Sequence, residues 1–169
     1  TNEDQKGKYV LCLSDDIDSL LSCVILNQLF GHEVKYFYSF SDLYVAPAIE
    51  KKEIIGVDTA LMGIHKVWDN HVVAINKDDK INPNSANINA INRISRDNYT
   101  QKYAGSTLLQ IMSYYDVPLQ TSYEALMILL TIDVAYKGHY HSYFKDIHNE
   151  YFRQLELEPL LDVLDMHTS

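Results

Sequence analysis

The sequence predicts an α/β protein, a three-layer sandwich with a mostly parallel central sheet. Two patterns and the size carry this expectation. Short apolar runs of strand length alternate with stretches whose apolar residues recur at helical spacing. Such alternation marks βαβ units, in which helices cover both faces of a parallel sheet. Acidic residues follow directly on several of the apolar runs, at the sheet edge where ligands of open α/β folds collect. With 169 residues, 47% hydrophobic and 22% charged, the chain has the length and balance of one globular domain that buries its own core.

Taken in order, Tyr9-Val10-Leu11-Cys12-Leu13 is the first strand. Leu20, Leu21, Val24, Ile25, Leu26, Leu29 and Phe30 then recur at helical spacing up to Gly31, a C-cap residue. Glu33–Tyr38 reads as a second strand and the isoleucine- and valine-rich Glu53–Val57 as a third. Val67-Trp68 and Val72–Ile75 bracket a polar Asp69-Asn70-His71. From Asn76 to Asn98 the composition turns to Asn, Asp, Ser and Pro, which predicts a long loop with at most a short helix near Ile88–Ile94. Helices follow over Tyr99–Tyr115 and Thr121–Thr131, with Pro118 between them. The last stretch, Ser142–Met166, is amphipathic and interrupted by Pro159. The whole chain, 1–169, reads as a single domain with a core over about 9–138 and a helical C-terminal segment over 139–169.

Fourteen Lys and Arg stand against 23 Asp and Glu, a formal charge of −9. That argues against a broad basic groove for duplex nucleic acid, whose affinity comes mainly from neutralising phosphates. An acidic protein that handles phosphate needs bound cations or local donors. Cys12 and Cys23 sit in apolar stretches, without disulfide or zinc spacing, as expected of buried thiols in a reducing compartment. The polar opening Thr1–Lys8 lacks the apolar run of a signal peptide, and the longest apolar run, near Ala125–Leu130, is too short to span a bilayer. The expectation is a cytoplasmic protein without a membrane partner. The thirteen tyrosines are spread along the chain and read as packing residues rather than a base-stacking platform.

The sharpest local feature is Leu13-Ser14-Asp15-Asp16-Ile17-Asp18-Ser19, between a predicted strand and a predicted helix. Asp and Ser are favoured helix N-caps. Three carboxylates in four positions, however, repel one another unless something positive sits among them. Alternate carboxylates, Asp16 and Asp18, can converge on a hard divalent cation, which takes oxygen ligands. Asp58 closes Ile54-Ile55-Gly56-Val57, either as another cap or as a partner of the first cluster at the same sheet edge. Asp69-Asn70-His71 follows an apolar pair, although His71 taken alone reads as a hydrogen-bonded surface or core histidine. Asp133 closes Ile128–Ile132. Four acidic clusters after four apolar runs point to one shared site.

This order of motifs resembles the DHH phosphoesterase superfamily, which includes RecJ-type exonucleases, nanoRNases, exopolyphosphatases and cyclic-dinucleotide phosphodiesterases. Ser14-Asp15-Asp16-Ile17-Asp18-Ser19 is similar to its first motif, with Asp16 and Asp18 retained. Asp58 is similar to its lone aspartate after a strand, and Asp69-Asn70-His71 to the triplet that names it. Ala104-Gly105-Ser106-Thr107 resembles its small-residue helix opening, and Asp133 its fourth aspartate. The resemblance covers roughly residues 9 to 138. It implies a Rossmann-like domain and a phosphoesterase that hydrolyses a nucleotide or a short or cyclic phosphodiester. Its cofactor would be one or two Mn²⁺ or Mg²⁺ ions held by Asp16, Asp18, Asp58 and Asp133, with Asn70 and Ser14 as further ligands.

In the implied mechanism, ions about 3.5–4 Å apart and bridged by Asp58 acidify a water and clamp the phosphoryl oxygens. Asp69 and His71 are the catalytic residues, with His71 contacting the phosphate or protonating the leaving group. Ser106 and Thr107, at a predicted helix start, read either as anion donors or as a plain N-cap. Lys137 reads as a phosphate partner or a solvated lysine, and His139 and His141 as surface residues. Two positions depart from the family pattern. Ser14 replaces a common metal-binding histidine, and Asn70 replaces the first histidine of the triplet with a neutral, weaker ligand. The family's second, substrate-binding domain has no counterpart here, which leaves open a missing C-terminal domain, a lid borrowed from a second copy in a homo-oligomer, or a domain that works alone. A catalytically degenerate domain that binds a nucleotide or phosphate without cleaving it is the alternative. Asp16-Ile17-Asp18 also fits the Asp-x-Asp nucleophile motif of HAD-type phosphotransferases, but Asp133 lacks the neighbouring acid and preceding lysine of that family.

Overall fold

The structure is a computed structural model, and it describes residues 6–47, 52–119 and 122–167. The fold is α/β: a six-stranded, mostly parallel sheet flanked by helices, the arrangement of a three-layer sandwich. The strands are β1 (Tyr9–Ser14), β2 (Glu33–Tyr38), β3 (Leu43–Val45), β4 (Glu53–Val57), β5 (Lys66–Trp68) and β6 (Ser85–Ala86). The helices are α1 (Ile17–Phe30), α2 (Ile88–Ile91), α3 (Thr107–Tyr114), α4 (Tyr123–Thr131), α5 (Lys145–Gln154) and α6 (Glu158–Asp165). The sheet order is β3-β2-β1-β4-β5-β6, and β3 alone runs antiparallel.

The predicted β1, β2 and β4 form where their apolar runs lie, and Gly31 closes α1 in the left-handed conformation at φ 67°. Side chains alternate across the sheet, so Tyr9 and Leu11 of β1 share a face with Ile55 and Val57 of β4 and Trp68 of β5. That face buries against Cys23 and Leu26 of α1 and Ile111 of α3. A second core joins Leu109 of α3 and Leu130 of α4 to Phe152 of α5 and Leu160 and Leu164 of α6. The C-terminal helices are thereby tied to the sheet through α3.

Several expectations need correction. Only β1–α1–β2 is a full βαβ unit; β4, β5 and β6 are joined by irregular chain. The return from β4 to β5 lies over the sheet at Gly56, where an added Cβ would meet Leu61 Cδ1 at 2.7 Å. The strands β3 and β6 were not expected, while Val72–Ile75 forms no strand beyond a single bridge from Ala74 to Ser95. The helix expected from Tyr99 begins at Thr107. Tyr99 lies in a 3₁₀ turn over Arg96–Gln101, Lys102 is extended, and the ring of Tyr103 fills the space beside Gly105. The C-terminal stretch is interrupted between α5 and α6, as expected, with Pro159 in the first turn of α6, where the missing N–H costs nothing. Cys23 is buried but Cys12 only partly so. The residues Thr1–Gln5 and Thr121, on which two expectations partly rested, lie outside the described residues. Among the described residues no helix is long and apolar enough to cross a membrane.

Candidate metal centre

The chain order reverses at β1: β2 lies on one side and β4 on the other. This is a topological switch point, and the carboxyl ends of β1 and β4 open there into one crevice. Serine hydroxyls stitch the two strand ends together. Ser19 Oγ accepts from Ser14 N–H (2.8 Å) and donates to the Val57 carbonyl (2.8 Å), and Ser14 Oγ donates to the Asp58 carbonyl (3.0 Å). These bonds set Asp16 and Asp18, which follow β1, beside Asp58, which follows β4.

Each acid is then held by a distinct device. Asp16 caps α1, its Oδ1 accepting from Ser19 N–H at 2.7 Å. Asp18, wholly buried in the first turn of α1, reaches across to α3 and accepts from Thr107 N–H (2.7 Å) and Leu108 N–H (2.8 Å). Asp58 accepts from Thr107 Oγ1 at 2.7 Å. Asp69, buried at the end of β5, accepts from Asn87 Nδ2 and pairs with His71 Nδ1 at 2.6 Å. Asp133 is exposed at the break after α4. Asp58 and Asp133 both adopt left-handed backbone, at φ 53° and 52°. Conformations of this kind are sparsely populated outside glycine and collect at functional sites.

Two groups of side chains bring ligand atoms within 4.8 Å of one another: Asp58, Asp69 and His71, and Asp18, Asp58 and Asp133. Asp58 belongs to both. Crowding has an electrostatic cost. Burial, with the charges of Asp133 and Asp16 adding to it, pushes the Asp18 carboxyl up to about 7 against the pull of its two backbone donors. Burial and the Asp18 charge push Asp58 up to about 8, with Asp16 close enough to share a proton. His71 rises to about 9, chiefly through its hydrogen bond to Asp69. Buried carboxylates at this spacing favour a cation among them, and a set of carboxylate oxygens with one imidazole nitrogen fits a divalent ion. Each group, two buried carboxylates with one exposed member (His71 in one, Asp133 in the other), could hold a metal ion.

The structure brings Asp18, Asp58, Asp69, His71 and Asp133 into these two groups; Asp16, exposed as the cap of α1, lies near Asp58 but in neither group, and Asn70 donates to Asp133. The remaining expected residues are placed differently. Ser14 is buried and its hydroxyl is used on backbone carbonyls, so it positions the strands rather than facing the acids. Ser106 caps α3, accepting from Leu109 N–H, and Thr107 gives its N–H to Asp18 and its hydroxyl to Asp58. Of the two expected roles, Ser106 takes that of N-cap, and the Thr107 donors go to the chain's own carboxylates. Lys137 lines a neighbouring cavity rather than the acidic cleft. His139 is buried, not superficial: Nδ1 pairs with Asn149 Oδ1 at 3.0 Å and Nε2 lies 3.2 Å from Asp165 Oδ1. His141 is exposed, as expected.

Other contributors went unread in the sequence. Asn87 and Asn89, buried in what reads as a loop, hold the triplet's backbone: Asn87 donates to the His71 carbonyl (2.8 Å) and Asn89 to the Asn70 carbonyl (2.7 Å). Gln110 of α3 donates to the Asp69 carbonyl at 3.1 Å. Lys102 lines a space of about 280 Å³ at the edge of the acidic cleft, which touches Asn70, His71, Gly105 and Asp133 but is not lined by Asp18, Asp58 or Asp69. The only local signal was the Asn87-Ile88-Asn89 alternation, which marks two amides on one side of a short segment.

Fold and site together define an α/β domain with a carboxylate-rich cleft at the switch point of its sheet, whose side chains could hold a metal ion. No family model, curated protein or solved structure matches the chain.

Proposed function

We propose that the protein is a divalent-metal-dependent phosphoesterase acting on a nucleotide or a short or cyclic phosphodiester, in the manner of the DHH superfamily. The observation that carries this reading is the membership of Asp58 in both groups of close ligand atoms. One carboxylate shared between two sets is how a protein holds two cations side by side. A divalent cation here supplies Lewis-acid polarisation of a phosphoryl oxygen and a water acidified towards neutral pH; Mn²⁺ and Mg²⁺ suit the oxygen-rich donor set.

The chain's own residues do the rest. Asp18 and Asp58 are fixed by α3, so they need no reorganisation to receive a cation. His71, paired with Asp69 and raised to about 9 in the cation-free protein, donates to a phosphate oxygen or to the leaving group in its protonated form, and its neutral form is a ligand of the group it shares with Asp58 and Asp69. Lys102 offsets the negative charge at the rim of the cleft. The −9 net charge suits a small substrate drawn in by cations rather than a long duplex.

A second reading, a degenerate domain that binds without cleaving, is favoured by Asn70. Its Nδ2 donates to the Gly105 carbonyl (2.8 Å) and to Asp133 Oδ2 (2.9 Å), so it turns a donor, not a ligand, towards the acids. The two readings separate in one assay. Purified protein with Mn²⁺ is offered a panel of nucleotides, dinucleotides and cyclic dinucleotides. Multiple turnovers that vanish in Asp58→Asn support the enzyme; tight binding with ligand recovered intact supports the degenerate domain.

A further inference from the structure

Next to the acidic cleft lies a cavity of about 430 Å³, within the range of small-molecule sites. It is bounded by the 3₁₀ turn, the segment around Lys137 and α5. Its lining is mainly apolar, with Tyr99, Tyr103, Phe144, Ile147 and Tyr151 among the residues that form it. Tyr99, Lys102, Tyr103 and Ala104 also line the smaller space that touches His71 and Asp133 at the edge of the acidic cleft, so the two spaces share a wall. Spread along the sequence, these tyrosines gave no sign of a stacking site; the fold collects three of them in one place.

The rings are held before any ligand arrives. Tyr103 is buried, donates its hydroxyl to the Ser106 carbonyl (3.0 Å) and meets Tyr151 edge-on at 5.5 Å between centroids. Tyr151 donates to the Gln101 carbonyl at 2.9 Å. Charge selects among the planar ligands such a cavity could take. An aromatic cage for a quaternary ammonium works by cation attraction. Here the lining carries Lys102 and Lys137 and no carboxylate, which disfavours a cationic guest. Lys102 Nζ sits 4.7 Å from the centroid of the Tyr99 ring, at the wall common to both spaces.

We infer that this cavity is the base subsite of the same site: it stacks the nucleobase of a nucleoside phosphate whose phosphate enters the acidic cleft past Lys102. The inference rests on the phosphoesterase reading and narrows its substrates to those bearing a heteroaromatic base, excluding polyphosphate and simple sugar phosphates.

The test is calorimetric binding of the four ribonucleoside 5′-monophosphates, their nucleosides and ribose 5-phosphate to the full chain, with and without Mn²⁺. Stacking on aromatic side chains predicts that at least one monophosphate binds roughly tenfold or more tightly than ribose 5-phosphate. Tyr99→Ala should remove that preference, so that the monophosphates bind this variant no more tightly than ribose 5-phosphate does. Ala104→Trp, made at an exposed position and crowding the shared wall, should also weaken the monophosphates. Equal binding of ribose 5-phosphate and all four monophosphates, or no binding of any monophosphate, overturns the inference. Nucleosides that bind and respond to Tyr99→Ala, in a protein that takes up no Mn²⁺, support the base subsite and refute the metal phosphoesterase instead.

Discussion

Asp58→Asn offers the most informative perturbation of stability. In the cation-free protein Asp58 is buried beside Asp18 and Asp16, and its carboxyl is raised to about 8. An unfolded aspartate titrates near 3.9. Between those values the folded state binds more protons than the unfolded one, so stability is full at low pH and falls as pH rises towards about 8. Asp18, raised to about 7, adds to the fall in the same direction. Each pH unit separating the folded and unfolded titrations corresponds to about 1.4 kcal/mol, and relaxation and water entry reduce the sum, leaving on the order of 2 kcal/mol for Asp58. Asparagine imitates the protonated acid and keeps an oxygen for the Thr107 hydroxyl. In EDTA at pH 8, Asp58→Asn should therefore raise the melting temperature by roughly 4–8 °C. At pH 5, where the wild-type acid is protonated in the fold, the gain should shrink. Thermal unfolding followed by circular dichroism at both pH values isolates Asp58 as a difference between the two proteins. A variant less stable than wild type at pH 8 in EDTA would refute the claim that these carboxylates crowd one another.

Three further outcomes follow from the same geometry. Asp18→Ala leaves the Thr107 and Leu108 N–H groups at the start of α3 without their partner, which should cost about 2–3 kcal/mol by chemical denaturation at pH 5; a loss below about 0.5 kcal/mol would show that the cap is dispensable. Asn70→His replaces a donor turned towards Asp133 with an imidazole and should raise Mn²⁺ affinity by about an order of magnitude in a metal titration; unchanged or weaker affinity would show that position 70 does not face the cation. Because the Asp69 hydrogen bond raises His71 to about 9 in the cation-free protein, its ring should stay protonated through neutral pH in EDTA and lose the proton as pH rises through about 9, read from imidazole NMR shifts; a midpoint below 7 would refute the Asp69–His71 pairing.

The parts of this molecule legible in the sequence are those whose causes are local. The strands β1, β2 and β4 are apolar runs bounded by polar or turn residues, and Gly31 ends α1 through its own backbone freedom. The acids at the sheet edge were legible for the same reason, since a carboxylate closing an apolar run is visible without a partner. What the sequence hid depends on distant partners. The edge strand β3 is three exposed residues that pair with β2, and β6 is only two residues long. Ser106 and Thr107 have the composition of a phosphate-binding helix start, yet Asp18, 89 residues from Thr107, takes that place. His139 sits in a polar, Tyr-rich stretch and is buried by Asn149 and by Asp165. The amides of Asn87 and Asn89 look like turn chemistry until the carbonyls of the triplet are brought to them.

The central claim is that Asp58 joins two cation-binding groups into one centre. Titrating Mn²⁺ into the purified chain by calorimetry, with Asp58→Asn alongside, tests it most directly. The account predicts saturable binding by the wild type and its loss in the variant. An isotherm that Asp58→Asn leaves unchanged, or a wild type that takes up no Mn²⁺, would contradict it.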